Sequence, residues 1–327
     1  MSEFDLIELI RTRCTSVRDD VRLGIGDDAA LLAVPAGQSL AVSTDTLVEG
    51  IHFPKVTAPA DVGWKALAVN LSDLAAMGAM PAWATLNLTL PQADARWVEA
   101  FADGFAALAR LHQVALVGGD TTQGPLSITV TAHGFVREEM ALRRAAARVG
   151  DVVCVTGTVG DAAAGLRMLQ GGVQAGVNAQ DGEAVKSRLI ARLNRPIPRI
   201  EQGSILAGSA HACIDVSDGL IADLGHICRA SGVGAEIDAD ALPTSPALAM
   251  LFDRDARRAF QLAGGDDYEL CFTAPQTRVE NLLADLAKSG CAATPVGRIV
   301  VGAGVLVRDA AGSAIEIPRA GWQHFHA

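Results

Sequence analysis

The chain of 327 residues has no cluster of Lys and Arg, no CxxC pair, and no apolar stretch near the ~20 residues that a membrane-spanning helix needs. Each absence excludes a class of function. With a net charge of −10 and no basic tract, neither nucleic acid nor an anionic membrane is an expected partner. The six cysteines stand singly in apolar contexts such as Val153-Cys154-Val155, which predicts buried, reduced thiols. The opening residues, MSEFDLIELIRTR, are acidic at once and lack the apolar region of a signal peptide, so a cytoplasmic location is expected. Several catalytic signatures are missing too: G-x-x-x-x-G-K-[ST], the HRD…DFG set, HExxH, GxSxG and the EF-hand loop.

What remains is a chain 50% hydrophobic and 20% charged, able to bury sizeable cores and long enough for two domains. Residues 3–13 read as a short amphipathic helix with Phe4, Ile7 and Ile10 on one face. A strand is expected over 38–44, ending in STDT. A largely apolar helix is expected over 61–79, whose polar exceptions Asn70 and Asp73 are three apart and share a face. Leu86–Leu90 and Leu126–Val136 alternate as half-buried antiparallel strands around a helix at 94–112. VALVGGD (114–120) reads as a buried strand running into a glycine turn.

This order predicts an α+β first domain ending near 137, with the junction in the charged segment 138–150. The chain then divides into domains 1–140 and 141–327. The second domain reads as α/β: strand, glycine loop and helix over VVCVTGTVGDAAAGLRML, then strand–turn–helix over ACIDVSDGLIADLGHICRA, with strands at AEID, ELCFTA and TPVGRIV. Residues 171–183 read as a loop.

Acidic residues recur at glycine-bearing or hydroxyl-bearing segments: GIGDD (24–28), STDT (43–46), NLSD (70–73), GGDTT (118–122), IDVSDG (214–219) and GGDDYE (264–269). Each is expected to put an Asp at a turn or helix start. Carboxylates with neighbouring hydroxyls are hard oxygen donors suited to Mg²⁺, and several such ions imply a polyphosphate. GIGDDA formally matches a dinucleotide fingerprint, but its two carboxylates stand where a pyrophosphate must approach bare amides. Taken alone, each segment is equally explained as a turn or helix cap. Asp218 could cap the helix at 219–230, and the loop 157–165 could cradle an anion or simply connect strand to helix. His52, beside STDT, could hold an anion or be structural; Trp322 could anchor the tail or stack on a flat ligand.

In their order, GIGDDAALL, LAVSTDTLVEGIHF, KALAVNLSDLAAMGAMP, VGGDTTQGPLSITVTAHG, VTGTVGD, IDVSDGLIADL and GGDDYELCF resemble the thiamine-monophosphate kinase family. That family is related to aminoimidazole ribonucleotide synthetase, selenophosphate synthetase and a hydrogenase maturation factor. The resemblance implies ATP-dependent phosphorylation of thiamine phosphate to thiamine diphosphate. It also implies a ferredoxin-like first domain that pairs in a homodimer and an α/β second domain covering the cleft. By position it implies Mg²⁺ contacts at Asp28, Ser43, Thr44, Asp45, Asp73, Asp120, Asp215 and Asp218. ATP contacts fall at Gly119, Asp120, Arg144 and Ser217, and thiamine phosphate contacts at His52, Asp266 and Trp322. Asp45, Asp73 and Asp120 are the residues expected to carry catalysis. The family usually has Glu where this chain has Asp266, and Arg143 stands beside Arg144. A reactive Cys beside Lys, which selenophosphate synthetase needs, is missing around Cys14 (RTRCTS).

Overall fold

Ser2 and Asp5 exchange hydrogen bonds in a capping box that starts α1 (Glu3–Arg13). The computed structural model describes residues 2–14, 16–171, 179–317 and 321–324. The chain divides into two compact units, Met1–Leu74 with Ala79–Glu139, and Ala75–Gly78 with Met140–Ala327. Leu6 and Ile10 are the buried residues of α1, whereas Phe4 is 77% exposed. The expected Phe4/Ile7/Ile10 face is therefore corrected to one centred on Leu6 and Ile10.

The first unit pairs β1 (Val21–Leu23) with β2 (Leu31–Leu32). It then builds a second sheet from β3 (Ser39–Val48), β4 (Met80–Leu90), β5 (Ala115–Gln123) and β6 (Ser127–Val136). Between these strands run α2 (Pro59–Ala76) and α3 (Ala95–Leu111). The sheet order is β3-β6-β4-β5. β6 lies antiparallel to both neighbours, while β4 and β5 are parallel and α3 makes the crossover that such a pair requires. α2 and α3 cross closely enough that a Cβ on Gly63 would stand 2.0 Å from the Phe101 carbonyl oxygen, and one on Gly104 1.8 Å from that of Ala60.

The two faces of this sheet differ. On the face that α2 covers, Leu74 lies over Gly134 and the Asp73 carboxylate accepts from the Ser43 hydroxyl. One end of the opposite face carries Trp83, Val117 and Phe135 packed against Val21, Ala30 and Leu32. There Trp83 meets Phe135 edge-on at 4.9 Å and its indole N–H donates to Asp20 at 3.0 Å. The other end is polar. Thr44 pairs with Thr131 at 2.9 Å and Thr46 with Thr129 at 2.8 Å, directly opposite in register.

The second unit holds a six-stranded sheet in the order β12-β9-β11-β7-β10-β8. Its strands are β7 (Val152–Thr156), β8 (Ala212–Asp215), β9 (Gly234–Asp238), β10 (Leu270–Ala274), β11 (Ala293–Val300) and β12 (Gly304–Arg308). Its helices are α4 (Asp161–Leu169), α5 (Ala179–Asn194), α6 (Ile200–Leu206), α7 (Leu220–Ser231), α8 (Pro246–Leu251), α9 (Arg254–Ala263) and α10 (Gln276–Lys288). Among the described residues of this sheet, β12 and β9 are the parallel pair and the other neighbours run antiparallel. Leu220, Leu224 and Ile227 of α7 pack into the core with Val153, Ile214 and Cys271. β10 is buried at every residue, as its unbroken apolar run LCF demands. All six cysteines are free and buried.

Two motifs expected at turns lie inside strands. β3 runs through STDT to Val48, and β5 runs through GGDTT to Gln123. Continuous pairing along β6 and β4 holds them extended. A shift of register at Ala84/Thr85 and the positive φ of Gly119 (149°) absorb the glycines within the ladder. Asp45, Asp73 and Asp120 thus sit on regular elements rather than at turns or helix starts. Within the stretch read as a loop at 171–183, residues 172–178 lie outside the described residues, and 179–183 open α5 instead.

Candidate functional site

Strand alternation sorts the donors of STDT. Ser43 and Asp45 project to the face that α2 covers, where Ser43 donates to Asp73; Thr44 and Thr46 project to the opposite face. The register places Thr46, Thr129, Asn87 and Asp120 in one cross-strand row on that opposite face. Gly119 must be glycine, because a Cβ there would stand 1.8 Å from the Leu86 carbonyl oxygen. The result is bare backbone beside the Asp120 carboxylate.

Asp27, Asp28, Gly118, Gly119 and Asp120 line one cavity of about 760 Å³, closed on another side by α1. Asp27 Oδ1 accepts the backbone N–H of Asp28 at 2.9 Å, which makes Asp27 the support of its neighbour. Asn70 does not share an open face with Asp73. It is fully buried, its amide nitrogen donating to the Ala66 carbonyl at 3.2 Å, whereas Asp73 is half-buried.

His52 is held from two sides. Its Nδ1 accepts the Val48 N–H at 2.9 Å, and its carbonyl accepts from the ammonium of Lys65 at 3.2 Å. An accepting Nδ1 carries no proton, so the ring proton sits on Nε2 and that atom is a donor. Lys65, almost wholly buried, was not singled out by sequence reasoning. Its signal is there nonetheless, as the one basic residue within an apolar helix.

In the second unit, Ser217 and Asp218 follow β8, whose last residue Asp215 is buried. The amides of Ser217, Asp218 and Gly219 all donate to Asp223 Oδ2, at 3.0, 3.0 and 3.1 Å. The amides of Gly160 and Ala162, at the start of α4, donate to Asp267 at 2.6 and 3.3 Å. Both glycine-bearing helix starts are thus capped by the chain's own carboxylates. The loop 157–165, one candidate for cradling an external anion, holds Asp267 instead.

Asp266, Ser217, Asp218 and Trp322 come together here. The Asp266 N–H donates to the Ser217 carbonyl at 2.8 Å, and the Trp322 N–H to the Asp218 carbonyl at 3.0 Å. A Cβ on Gly321 would stand 2.6 Å from that same oxygen, so glycine lets the tail approach. Trp322 is 45% exposed and lies edge-on to His324 at 6.2 Å. Burial lowers the His226 imidazole below its usual range, with the neighbouring Arg229 and Arg144 charges adding to this and the Asp218 charge opposing it.

Burial raises the Asp218 carboxyl above its usual range, and the Asp266 charge adds to this. Burial likewise pushes Asp223 up to about 7 and Asp267 up to about 8, against the pull of their amide donors. An acid with a raised folded pKa keeps its proton when the unfolded chain has lost it. Its contribution to stability is therefore full below the unfolded value and declines as pH rises to the folded one. In metal-free urea titrations from roughly pH 5 to 8, Asp267→Asn will lose less stability with rising pH than the parent. Equal slopes for the two proteins would refute the assignment.

Among the described residues, no three His, Cys, Asp or Glu side chains are placed to hold a metal ion by themselves. Asp28, Asp120, Asp73 and Ser43 nevertheless offer only carboxylate and hydroxyl oxygens. They fall on two faces of the sheet, Asp28 with Asp120 in the cavity and Ser43 with Asp73 under α2, and each pair fits a hard cation whose remaining ligands are phosphate oxygens and water.

Comparison with known proteins accords with this arrangement. The AIR synthase related protein N-terminal domain family matches residues 26–136, and the corresponding C-terminal domain family matches 148–309. Thiamine-monophosphate kinase of Escherichia coli (strain K12) is 49% identical over 325 residues, 99% of this chain and 98% of that one. The crystal structure of thiamine-monophosphate kinase from Stenotrophomonas maltophilia K279a is 52% identical with a TM-score of 0.86, covering 96% of this chain and 98% of the other. AaThiL complexed with AMPPCP and TMP is 34% identical with a TM-score of 0.76, covering 99% and 97%. With its two-domain α+β AIR synthase-like fold and this likeness along its full length, the chain belongs to the thiamine-monophosphate kinase family.

Proposed function

We propose that the chain moves the γ-phosphoryl group of ATP directly onto the phosphate of thiamine phosphate, as a homodimer in the cytoplasm, with Mg²⁺ held by the acidic segments. The observation that carries this reading is the cavity in which Asp27, Asp28 and Asp120 surround the bare backbone of Gly118 and Gly119. The AMPPCP and TMP bound by AaThiL support ATP and thiamine phosphate as the substrate pair.

Two polyanions must meet inside a field of carboxylates, an assembly that repels itself without cations. Asp28, Asp120, Asp73, Asp45, Asp215 and Asp218, with Ser43 and Thr44, are the residues that would hold Mg²⁺. Bound there, the ions would neutralise charge on the phosphates and on the transferring group. Gly119 gives close backbone approach beside Asp120, and Arg144 and Ser217 contact ATP. The acceptor phosphate has a second pKa of about 6 and is mostly dianionic at neutral pH, so attack needs no general base. His52, a donor at Nε2, orients the acceptor phosphate without removing a proton. Asp266 offsets the charge of the thiazolium and Trp322 stacks on it.

Asp45 and Asp120 support the dimer. Asp45 lies on β3 and Asp120 on β5, the opposite edges of the sheet with two strands between, about 14 Å apart at normal strand spacing. One ion cannot reach both within one copy, and exposed Leu40, Val42 and Met80 on this unit offer apolar surface to a second. Free, buried thiols are consistent with a reducing compartment.

The purified chain with ATP, Mg²⁺ and thiamine phosphate should yield thiamine diphosphate and ADP with no phospho-enzyme. Binding without product would point to a sensor, and product only from a purine intermediate to a synthetase. His52→Ala should raise KM for thiamine phosphate about tenfold and leave KM for ATP unchanged, the loss of one hydrogen bond to a charged group. An unchanged KM for thiamine phosphate would remove His52 from the acceptor site.

A further inference from the structure

We infer that Tyr268 is a positioning residue for Asp266 and so helps set how tightly the cationic heterocycle of the acceptor is held; this rests on the proposed role of Asp266 as a substrate contact. The segment Gly264–Glu269 alternates between two tasks. Asp267 and Glu269 point inward, the first to the amides of α4, the second to Arg192, Arg199 and Thr156. Asp266 and Tyr268, between and before them, hold φ values of 68° and 52°. These lie in the left-handed region that L side chains rarely adopt, and two such residues in one short segment mark a held conformation.

The holding groups can be named. Asp266 N–H donates to the Ser217 carbonyl and Tyr268 N–H to that of Val216, each at 2.8 Å, while Val216 N–H returns a bond to the Glu269 carbonyl at 2.7 Å. The Tyr268 side chain is buried, and its hydroxyl donates to Asp266 Oδ1 at 3.1 Å. The backbone therefore fixes where the Asp266 side chain begins, and the phenol fixes the plane of its carboxylate. An aspartate has only two side-chain torsions. With one oxygen engaged, the direction in which it presents its charge is set before substrate arrives. A cation bound against a carboxylate of fixed direction loses less freedom than one that must order the carboxylate itself. The phosphoryl transfer takes place at the phosphate end of the acceptor, so the benefit falls on binding and not on the chemical step.

The experiment is a double-mutant cycle on the full chain with ATP and Mg²⁺. Tyr268→Phe keeps the buried ring and removes only the hydroxyl. It should raise KM for thiamine phosphate about tenfold, with kcat, KM for ATP and the thermal midpoint at parental values. Asp266→Asn should raise the same KM, and adding Tyr268→Phe to it should change nothing further. Fully additive effects, or a Tyr268→Phe defect shared by kcat and KM for ATP, would overturn the inference and assign the tyrosine a general structural role. An unchanged KM in Tyr268→Phe alongside a raised one in Asp266→Asn would also overturn it while sparing the site. An unchanged KM in Asp266→Asn would instead remove the substrate contact on which the inference stands.

Discussion

Asp120→Asn will lower kcat by about a thousandfold while the urea midpoint stays at the parental value. The two halves of this expectation have separate causes. Asp120 is exposed on β5 in a row of polar side chains, so no core contact is lost with its charge. In the proposed reading, its place beside Gly119 and Asp28 in the 760 Å³ cavity would make it a ligand for the cation that accompanies a polyphosphate. Asparagine keeps the shape but is a weaker ligand for a hard ion, and about 4 kcal/mol of lost transition-state stabilisation is a thousandfold in rate. Asp73→Asn should behave alike, since the amide oxygen can still accept from Ser43 and preserve the local fold. Single-turnover rates near the parental value for both variants, at saturating Mg²⁺ and ATP, would sink the assignment of the acidic segments to metal.

Glu269→Gln will act in the opposite sense, on stability rather than first on chemistry, by about 3–5 kcal/mol. Glu269 is fully buried. Its carboxylate accepts from Arg199 at 2.7 and 2.5 Å, from Arg192 at 2.8 Å and from the Thr156 hydroxyl at 2.7 Å. Both guanidiniums are themselves mostly buried, so the neutral amide removes the counter-charge they share and leaves Arg192 with the longer ion pair to Asp161 at 3.9 Å. The packing gives no room to adjust, because a Cβ added to Gly157 would stand 2.3 Å from Glu269 Oε1. The check is a urea titration at neutral pH, with a lowered midpoint and an unchanged slope. A shift worth under about 1 kcal/mol would mean that the cluster relaxes into water and is no keystone of the second unit.

Much of the element order was legible, and the reasons are local. The helices at 3–13, 61–79 and 94–112, and the strands AEID and ELCFTA, carry strong periodicity or unbroken apolar runs, and their bounds fell within a few residues. STDT and GGDTT misled because serine, threonine and glycine signal turns in isolation, whereas pairing with β6 and β4 holds both segments extended. The acidic segments stand out in the sequence as a set, yet the partner of each carboxylate does not. Whether an Asp faces a ligand or a backbone amide depends on contacts distant in sequence, as with Asp267 and Gly160, 107 residues apart. Asp223 lay closer to hand, five residues beyond Asp218 in SDGLIAD, where a carboxylate in the first turn can reach back to the preceding amides. Tyr268 escaped because a single polar atom on a buried side chain leaves no periodic trace, whereas Lys65 stands out as the one basic residue of its apolar helix.

The threonine pairs between β3 and β6 serve as index marks for the sheet. In β3 successive side chains alternate between faces, Ser43 and Asp45 on one and Thr44 and Thr46 on the other, so a slip of one residue against β6 would send Asp45 to the open face and Thr44 towards α2. A slipped strand would still pair nine of its ten residues with β6, but Ser43 would no longer reach Asp73. Thr44 and Thr46, each matched to a threonine directly opposite, make the correct alignment cheaper than its neighbours by two side-chain hydrogen bonds. The open polar end of the sheet is thus a proofreading device for assembly: a chain that folds out of step is left without the site.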